Sequence, residues 1–334
     1  MRPAINNIDS TAQHSTAQHS TAQHSTLCAV IPSIPQDIDK VLKNTDYFFR
    51  YLPITKIYVI GPADIAENIV RADDSRIIFM NENEFVDAGR IRELYSSRTD
   101  KNPNRAGWYI QQFIKMQFAR FTSNEYYLIW DSDTIPVRHI DFFNNNGTPI
   151  LDLRLQQIPS YYRTMTKLLP NIAAPYHKSF VTEHMLVNSQ HMRECLSDIE
   201  ANSLIAGSSF SEKVINAVDI EDLPFMGFSE YETYGNYAVS HHPNIYVMRD
   251  WRSLRTGFRF YDDVISNEQA AWLAEKYYAV SVEKWQRNSF IMKCLTKSKL
   301  FRKVFPPVVL ENIVAMRSKI SRVIKRLLGM KKGA

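Results

Sequence analysis

The chain has 334 residues, 45% hydrophobic and 22% charged, with 18 Phe, 17 Tyr and 5 Trp. That is enough apolar material for one large core or two modest ones, which excludes a disordered protein, while ten Gly and 15 Pro exclude a collagen-like or low-complexity bulk. The net charge of +5 is uneven: from Lys297 onward eleven Lys/Arg face Glu311 alone, leaving 29 basic against 34 acidic residues elsewhere, which argues against nucleic acid as a partner of the body.

Residues 10–24 read Ser-Thr-Ala-Gln-His three times, and Ser25-Thr26 begin a fourth copy. The segment is polar and without apolar periodicity, so residues 1–26 are expected to be disordered. The five-base unit AGCAC, read in triplets as AGC ACA GCA CAG CAC, encodes this repeat. Gain or loss of one unit shifts the reading frame, so an expression switch by replication slippage (phase variation) is expected. His14, His19 and His24, five apart in such a segment, suit no metal site.

Leu27 to Ile31 is a short apolar run and a buried-strand candidate. A helical stretch follows from about Gln36 to Tyr51, then strands over Lys56–Gly61 and Arg76–Met80. These intervals indicate an α/β fold with a mainly parallel central sheet. Gly107–Phe121 has the spacing of an amphipathic helix, with Gln117 interrupting its apolar set. Further strands are expected over Tyr126–Trp130, Pro149–Leu153, Phe180–Val187 and Asn244–Met248, and helices over Phe210–Ile220 and Ser229–Val239. The expected organisation is a repeat over 1–26, one catalytic domain over 27–278 and a basic helical appendage over 279–334. No apolar run of about 18 residues suggests a transmembrane helix, and no secretory signal is visible. Cys28, Cys195 and Cys294 are too far apart for a disulfide framework or ligand set, which fits a reducing cytosol.

The strand Tyr126–Trp130 runs directly into Asp131-Ser132-Asp133. Residues i and i+2 of a strand point the same way, so both carboxylates are expected to face one site beyond the strand's carboxyl end, where ligands of open α/β sheets bind. Two acids there repel unless a cation lies between them, and a hard Mg²⁺ or Mn²⁺ ion shared with a diphosphate satisfies that need. A plain polar turn is the alternative.

The blocks GWYIQQFIKM, YLIWDSDTIP, FVTEHMLVN and FSEYETYGNY, in this order, resemble a family of bacterial glycosyltransferases of lipopolysaccharide and capsule gene clusters. The resemblance runs from about Leu27 to Trp251. It implies a GT-A-like nucleotide-diphospho-sugar transferase fold, a metal and sugar nucleotide held by Asp131 and Asp133, and Gln111, Gln112 and Lys115 near the donor. A solvated helix face is the alternative for those three. The same resemblance offers a late histidine as a further metal ligand in many members, a role to which neither His241 nor His242 can be matched.

Ser229 and Glu232 match a capping box, in which Glu232 reaches back to the Ser229 N–H. Glu230, about 200° further around the helix, lacks that structural explanation and is the candidate base in an inverting transfer; its alternative is a favourable charge at a helix start. On a strand only one of Glu183 and His184 can serve the site, Glu183 by contacting sugar hydroxyls, while His184 suits a satisfied core position. Tyr161, Tyr162 and Trp251 can stack on sugars or pack in the core.

From Val309 to Leu328 the apolar residues Val309, Ile313, Met316, Ile320, Val323 and Leu327 alternate four and three apart, with Arg317, Lys319, Arg322, Lys325 and Arg326 opposite. Such a helix suits an anionic membrane surface, or else packing on the body or a dimer contact. The sequence therefore points to a cytoplasmic, peripheral inner-membrane glycosyltransferase, dependent on a divalent cation (Mn or Mg) and acting on a glycan or glycolipid acceptor. A nucleotidyltransferase would share the Asp-x-Asp site but lacks the usual Gly-rich phosphate loop here. A non-catalytic membrane-surface binding module is the other alternative.

Overall fold

A computed structural model describes residues 27–283, 289–316 and Lys319. The repeat, and the tail residues Ile320, Val323 and Leu327, lie outside the described residues. The strands are β1 (Leu27–Pro32), β2 (Ile54–Gly61), β3 (Ile77–Asn81), β4 (Tyr126–Trp130), β5 (Thr134–Pro136), β6 (Ile150–Leu153), β7 (His184–Asn188), β8 (Val247–Asp250), β9 (Ser253–Leu254) and β10 (Ala279–Ser281). The main sheet has the order β3-β2-β1-β4-β7, with every pair parallel except the antiparallel β4–β7. This is the expected α/β class with a mainly parallel sheet, followed by C-terminal helices.

Period-two alternation divides the core. Leu27, Ala29 and Ile31 face one layer with Val41, Phe48 and Trp130, while Cys28 and Val30 face the other with Ile110, Phe113 and Ile114. Burial on both faces explains why β1 and β4 read as unbroken apolar runs. The chain extends the sheet from β1 through β2 to β3, then returns to lay β4 on the other side of β1. That reversal places the crevice of an open α/β sheet at the carboxyl ends of β1 and β4.

Three expected elements differ. The helix over 36–51 is split into Ile38–Lys43 and Thr45–Tyr51, because the Asn44 amide donates to Lys40 O and Asp263 O, both at 2.8 Å, and draws the chain away from one axis. The helix Arg105–Gln117 gives way to a 3₁₀ turn at Phe118–Arg120. The strand expected over 180–187 is confined to β7, because Glu183 has φ +65° and breaks the extended backbone ahead of it.

The expected boundary at 278 does not mark a change in packing. It falls immediately before β10, which pairs antiparallel with β5 and parallel with β9. Beyond it, Phe305 O accepts the Trp272 indole N–H, Tyr277 donates its hydroxyl to Glu311, and Leu310 is buried. The helical residues 309–316 thus begin the tail docked on the body. Val309 packs on the body, the alternative for that stripe, whereas Met316 is exposed. The exposed apolar side chains lie mostly earlier, on the helices Phe290–Lys297 and Lys299–Val304: Phe290 is 80% exposed, Ile291 67%, Leu300 72% and Val304 60%. Among the described residues no helix is long and apolar enough to cross a membrane.

Candidate active site

Asp131, Ser132 and Asp133 form a tight turn between β4 and β5, so strand alternation does not govern where the two carboxylates point. Backbone bonds pin the turn: Thr134 N–H donates to Asp131 O at 3.1 Å, Asp131 N–H to Glu183 O at 2.9 Å, and Val282 N–H to Asp133 O at 2.8 Å. The Trp130 indole closes it from below by donating to Thr134 O at 2.7 Å.

Lys115 projects from the helix Arg105–Gln117 and joins two carboxylates from distant segments. Its Nζ donates to Asp131 Oδ1 at 2.6 Å, to Glu230 Oε1 at 2.7 Å and to the Tyr231 hydroxyl at 3.1 Å. Tyr231 in turn donates to Asp131 Oδ1 at 2.9 Å. Burial opposes the charge on Lys115, yet Asp131 and Glu230 outweigh it and hold the ammonium above its ordinary pKa. For Glu230, burial raises the pKa and Asp131 adds to the rise, against the pull of Lys115. Burial, then Asp131 and Glu283, push Asp133 up to about 7, with Lys40 opposing.

Glu230 is the first residue of the helix Glu230–His241, whose start is fixed from two sides. Ser229 Oγ accepts the Glu232 N–H at 3.3 Å, and Gln112 Oε1 accepts the Glu230 N–H at 3.1 Å. Only half of the expected capping box forms. The Glu232 carboxylate instead accepts from Phe180 N–H at 3.4 Å and from the Asn236 amide at 3.3 Å. Gly235 makes this packing possible, because a Cβ there would lie 2.3 Å from the Phe180 ring.

Asp131 and Asp133 are the residues that would hold a divalent cation, with substrate oxygens and water completing the shell: burial first, and then the Asp131 charge, raise Asp133, and a cation would offset both. No group of three His, Cys, Asp or Glu with metal-binding geometry occurs among the described residues.

Residues 37–318 match the model of a family described as "Family of unknown function (DUF6492)". The chain belongs to that family. No curated protein matches it in sequence. Among solved structures, apo mouse xyloside xylosyltransferase 1 overlaps it with a TM-score of 0.40 at 12% identity, covering 78% of this chain and 99% of that one. Two structures of the galactosyltransferase LgtC, an active-site mutant and a complex with donor and acceptor sugar analogues, overlap with TM-scores of 0.36 and 0.35. Each is 12% identical and covers 57% of this chain, with 69% and 70% of theirs.

In this DUF6492 member, Gln112, Lys115, Asp131 and Glu230 come together, while Gln111 is half-buried and makes no side-chain hydrogen bond among the described residues. Glu183 is not placed to bind a hydroxyl. Its buried carboxylate accepts from Arg154 at 2.5 Å, Trp251 Nε1 at 2.7 Å, Arg255 at 2.9 Å and Ser253 Oγ at 3.0 Å. His184 is the satisfied core histidine, with Nε2 2.9 Å from Asp152 and Nδ1 3.0 Å from Thr182 O. His241 stacks on Tyr237 and His242 on His191, at the opposite end of the helix from Glu230 and about 17 Å away along its axis. Tyr161 and Trp251 are buried, and Trp251 stacks on Tyr278. Tyr231, Arg154 and Arg255 carry no local sequence signal, because their partners lie 28 to 116 residues away.

Proposed function

We propose that this protein is a metal-dependent glycosyltransferase that moves a sugar from a nucleotide-diphospho-sugar to a bacterial surface glycan of the lipopolysaccharide, lipooligosaccharide or capsule type. One observation carries the proposal. Four sequence blocks, whose bonded residues are separated by up to 118 positions, converge on the Asp turn at the sheet's switch point: Gln112 and Lys115, Asp131 and Asp133, the Glu183 carbonyl, and Glu230 with Tyr231. That arrangement supports a site for a diphosphate beside a proton acceptor.

In the transfer, the acceptor hydroxyl oxygen bonds to the anomeric carbon of the sugar, and the bond from that carbon to the diphosphate oxygen breaks. A cation on Asp131 and Asp133 would offset charge developing on the leaving diphosphate. Lys115 is placed to donate to the same phosphates. In an inverting reaction Glu230 takes the hydroxyl proton; its raised pKa suits a general base. Glu230 is only 4% exposed and bound to Lys115, so transfer of Lys115 to the diphosphate is the step that frees it. The basic C-terminal segment, with the exposed apolar residues ahead of it, supports peripheral binding to the anionic inner face of the cytoplasmic membrane.

The test is a donor panel of UDP-, GDP-, CMP- and dTDP-sugars with the full chain and Mn²⁺ or Mg²⁺. Nucleotide release from one donor, stopped by EDTA and reduced at least roughly 100-fold in Asp131→Ala and Asp133→Ala, is the expected result. Pyrophosphate release from nucleoside triphosphates would instead identify a nucleotidyltransferase. Absence of turnover together with absence of metal-dependent donor binding by calorimetry would identify a non-catalytic module.

A further inference from the structure

Glu183 faces two ways. Its carbonyl accepts the Asp131 N–H and so helps fix the Asp turn, while its carboxylate turns back to hold Arg154, Arg255, Trp251 and Ser253. The φ of +65° that allows this is strained for a residue with a Cβ and persists where surrounding bonds over-determine the conformation. Behind it lies a cavity of about 410 Å³, a size typical of small-molecule sites, whose lining includes Arg154, Lys178, Arg252, Arg255, Trp251 and Asp250. Asp131, Asp133 and Lys115 are not part of that lining.

The charges of the cavity are arranged to receive an anion. Asp250 engages Lys178 at 2.5 Å, Glu183 lies buried beneath Arg154 and Arg255, and Glu283 is 3.6 Å from Arg255. Arg252 is exposed and makes no side-chain hydrogen bond among the described residues, so its charge is open to a ligand, while Asp131 and Asp133 add to the acids that act on Arg255. A guanidinium has five N–H donors, and among the described residues Arg154 uses only Nη1, on Glu183 and Ser253. Its remaining donors are pre-positioned for a planar carboxylate or a phosphate.

We propose that this cavity binds a sugar bearing a phosphate or carboxylate, and that the acceptor of the transfer is therefore an acidic glycan. The word acceptor rests on the transferase proposal; the anionic sugar site does not. The diphosphate of the donor belongs at Asp131 and Asp133, which act on Arg255 but are not part of the cavity lining, so the acidic sugar is expected to bind alongside it.

Titration calorimetry of the full chain with glucose 6-phosphate, glucuronate, inorganic phosphate and glucose tests this. At least one acidic sugar is expected to bind tenfold or more tightly than both glucose and inorganic phosphate. Its affinity should fall at least tenfold in Arg252→Ala and in Lys178→Ala, two surface changes whose thermal melts report whether folding is intact. Binding should persist in Asp131→Ala and in the presence of saturating UDP or GDP with Mn²⁺. Equal affinity for glucose and the acidic sugars would overturn the proposal, as would indifference to both substitutions. Inorganic phosphate binding as tightly as the acidic sugars would reduce the cavity to a free-anion site, and loss of binding with nucleotide would assign it to the donor. A silent donor panel alongside intact acidic-sugar binding would defeat the transferase proposal alone.

Discussion

Removing the ammonium of Lys115 leaves Asp131 and Glu230 without the counter-charge they share. Glu230 is the more exposed to this loss energetically, because it is buried and has no other cationic partner among the described residues. Lys115→Met is expected to destabilise the fold by about 3 kcal/mol in chemical denaturation, the cost of stranding a buried charge, and Lys115→Met with Glu230→Gln should recover most of it. A single variant as stable as the wild type would show that the pair does not hold the fold. Lys115 is legible in the sequence as a polar residue beside an apolar helical stripe, and Glu230 as an acid at a helix start that the capping box does not use. Their meeting is not, since 115 residues separate them and no local pattern encodes a contact across that distance. Gln111 and Gln112 make the same point at closer range: one residue, about 100° of helix, decides which amide caps Glu230.

Among the elements, the β6–β8 pair is joined to the main sheet through Asp152. Its carboxylate accepts from Arg249 on β8 at 2.7 and 2.8 Å and meets His184 on β7 at 2.9 Å. Burial alone would raise the Asp152 pKa, but Arg249 and His184 outweigh it and hold it below the ordinary value. A depressed carboxylate pKa contributes stability that is full above the unfolded value, near 3.9, and is lost as pH falls through the folded value. Asp152→Asn should therefore lower the melting temperature at neutral pH, and the gap to wild type should narrow below about pH 4. A gap that stays constant to pH 2 would rule out the ionised pair as its source. Gly235→Ala should cost about 1–3 kcal/mol in denaturant, because the new methyl meets the Phe180 ring and must displace the helix that carries Glu230. The parallel core strands were readable from their apolar runs and turn residues. The shortened β7 was not: an unbroken FVTEHMLVN pattern gives no warning that Glu183 reverses its φ to satisfy bonds on both sides.

For the whole molecule, the division between body and tail was legible as charge but not as packing. Counting Lys and Arg isolates the basic segment from Lys297 onward, yet Leu310, Glu311 and Phe305 are tied to the body by Trp272, Tyr277 and their neighbours. Among the described residues, the proposed membrane contact falls on the exposed side chains Phe290, Ile291, Leu300 and Val304, which share their helical segment with Lys297, Lys299 and Lys303. Sedimentation with anionic vesicles should bring down the full chain, and replacing Phe290, Ile291 and Leu300 by Ser should cut the bound fraction several-fold. Unchanged sedimentation would leave charge alone responsible, and none at all would remove the membrane from the proposal.

The pairing of β5 with β10 bears on the order in which the protein is made. β4 and its parallel neighbours are complete once the ribosome has passed Trp130, but β5, the outgoing leg of the Asp turn, finds its partner only at Ala279–Ser281. A nascent chain arrested before that point, or one shortened to the expected domain boundary at 278, would hold most of its core while the turn carrying Asp131 and Asp133 lacked both the β10 ladder and the Val282 N–H bond to Asp133. The turn on which the transferase proposal rests would thus be secured only after Val282 has been made, long after the parallel strands that flank it.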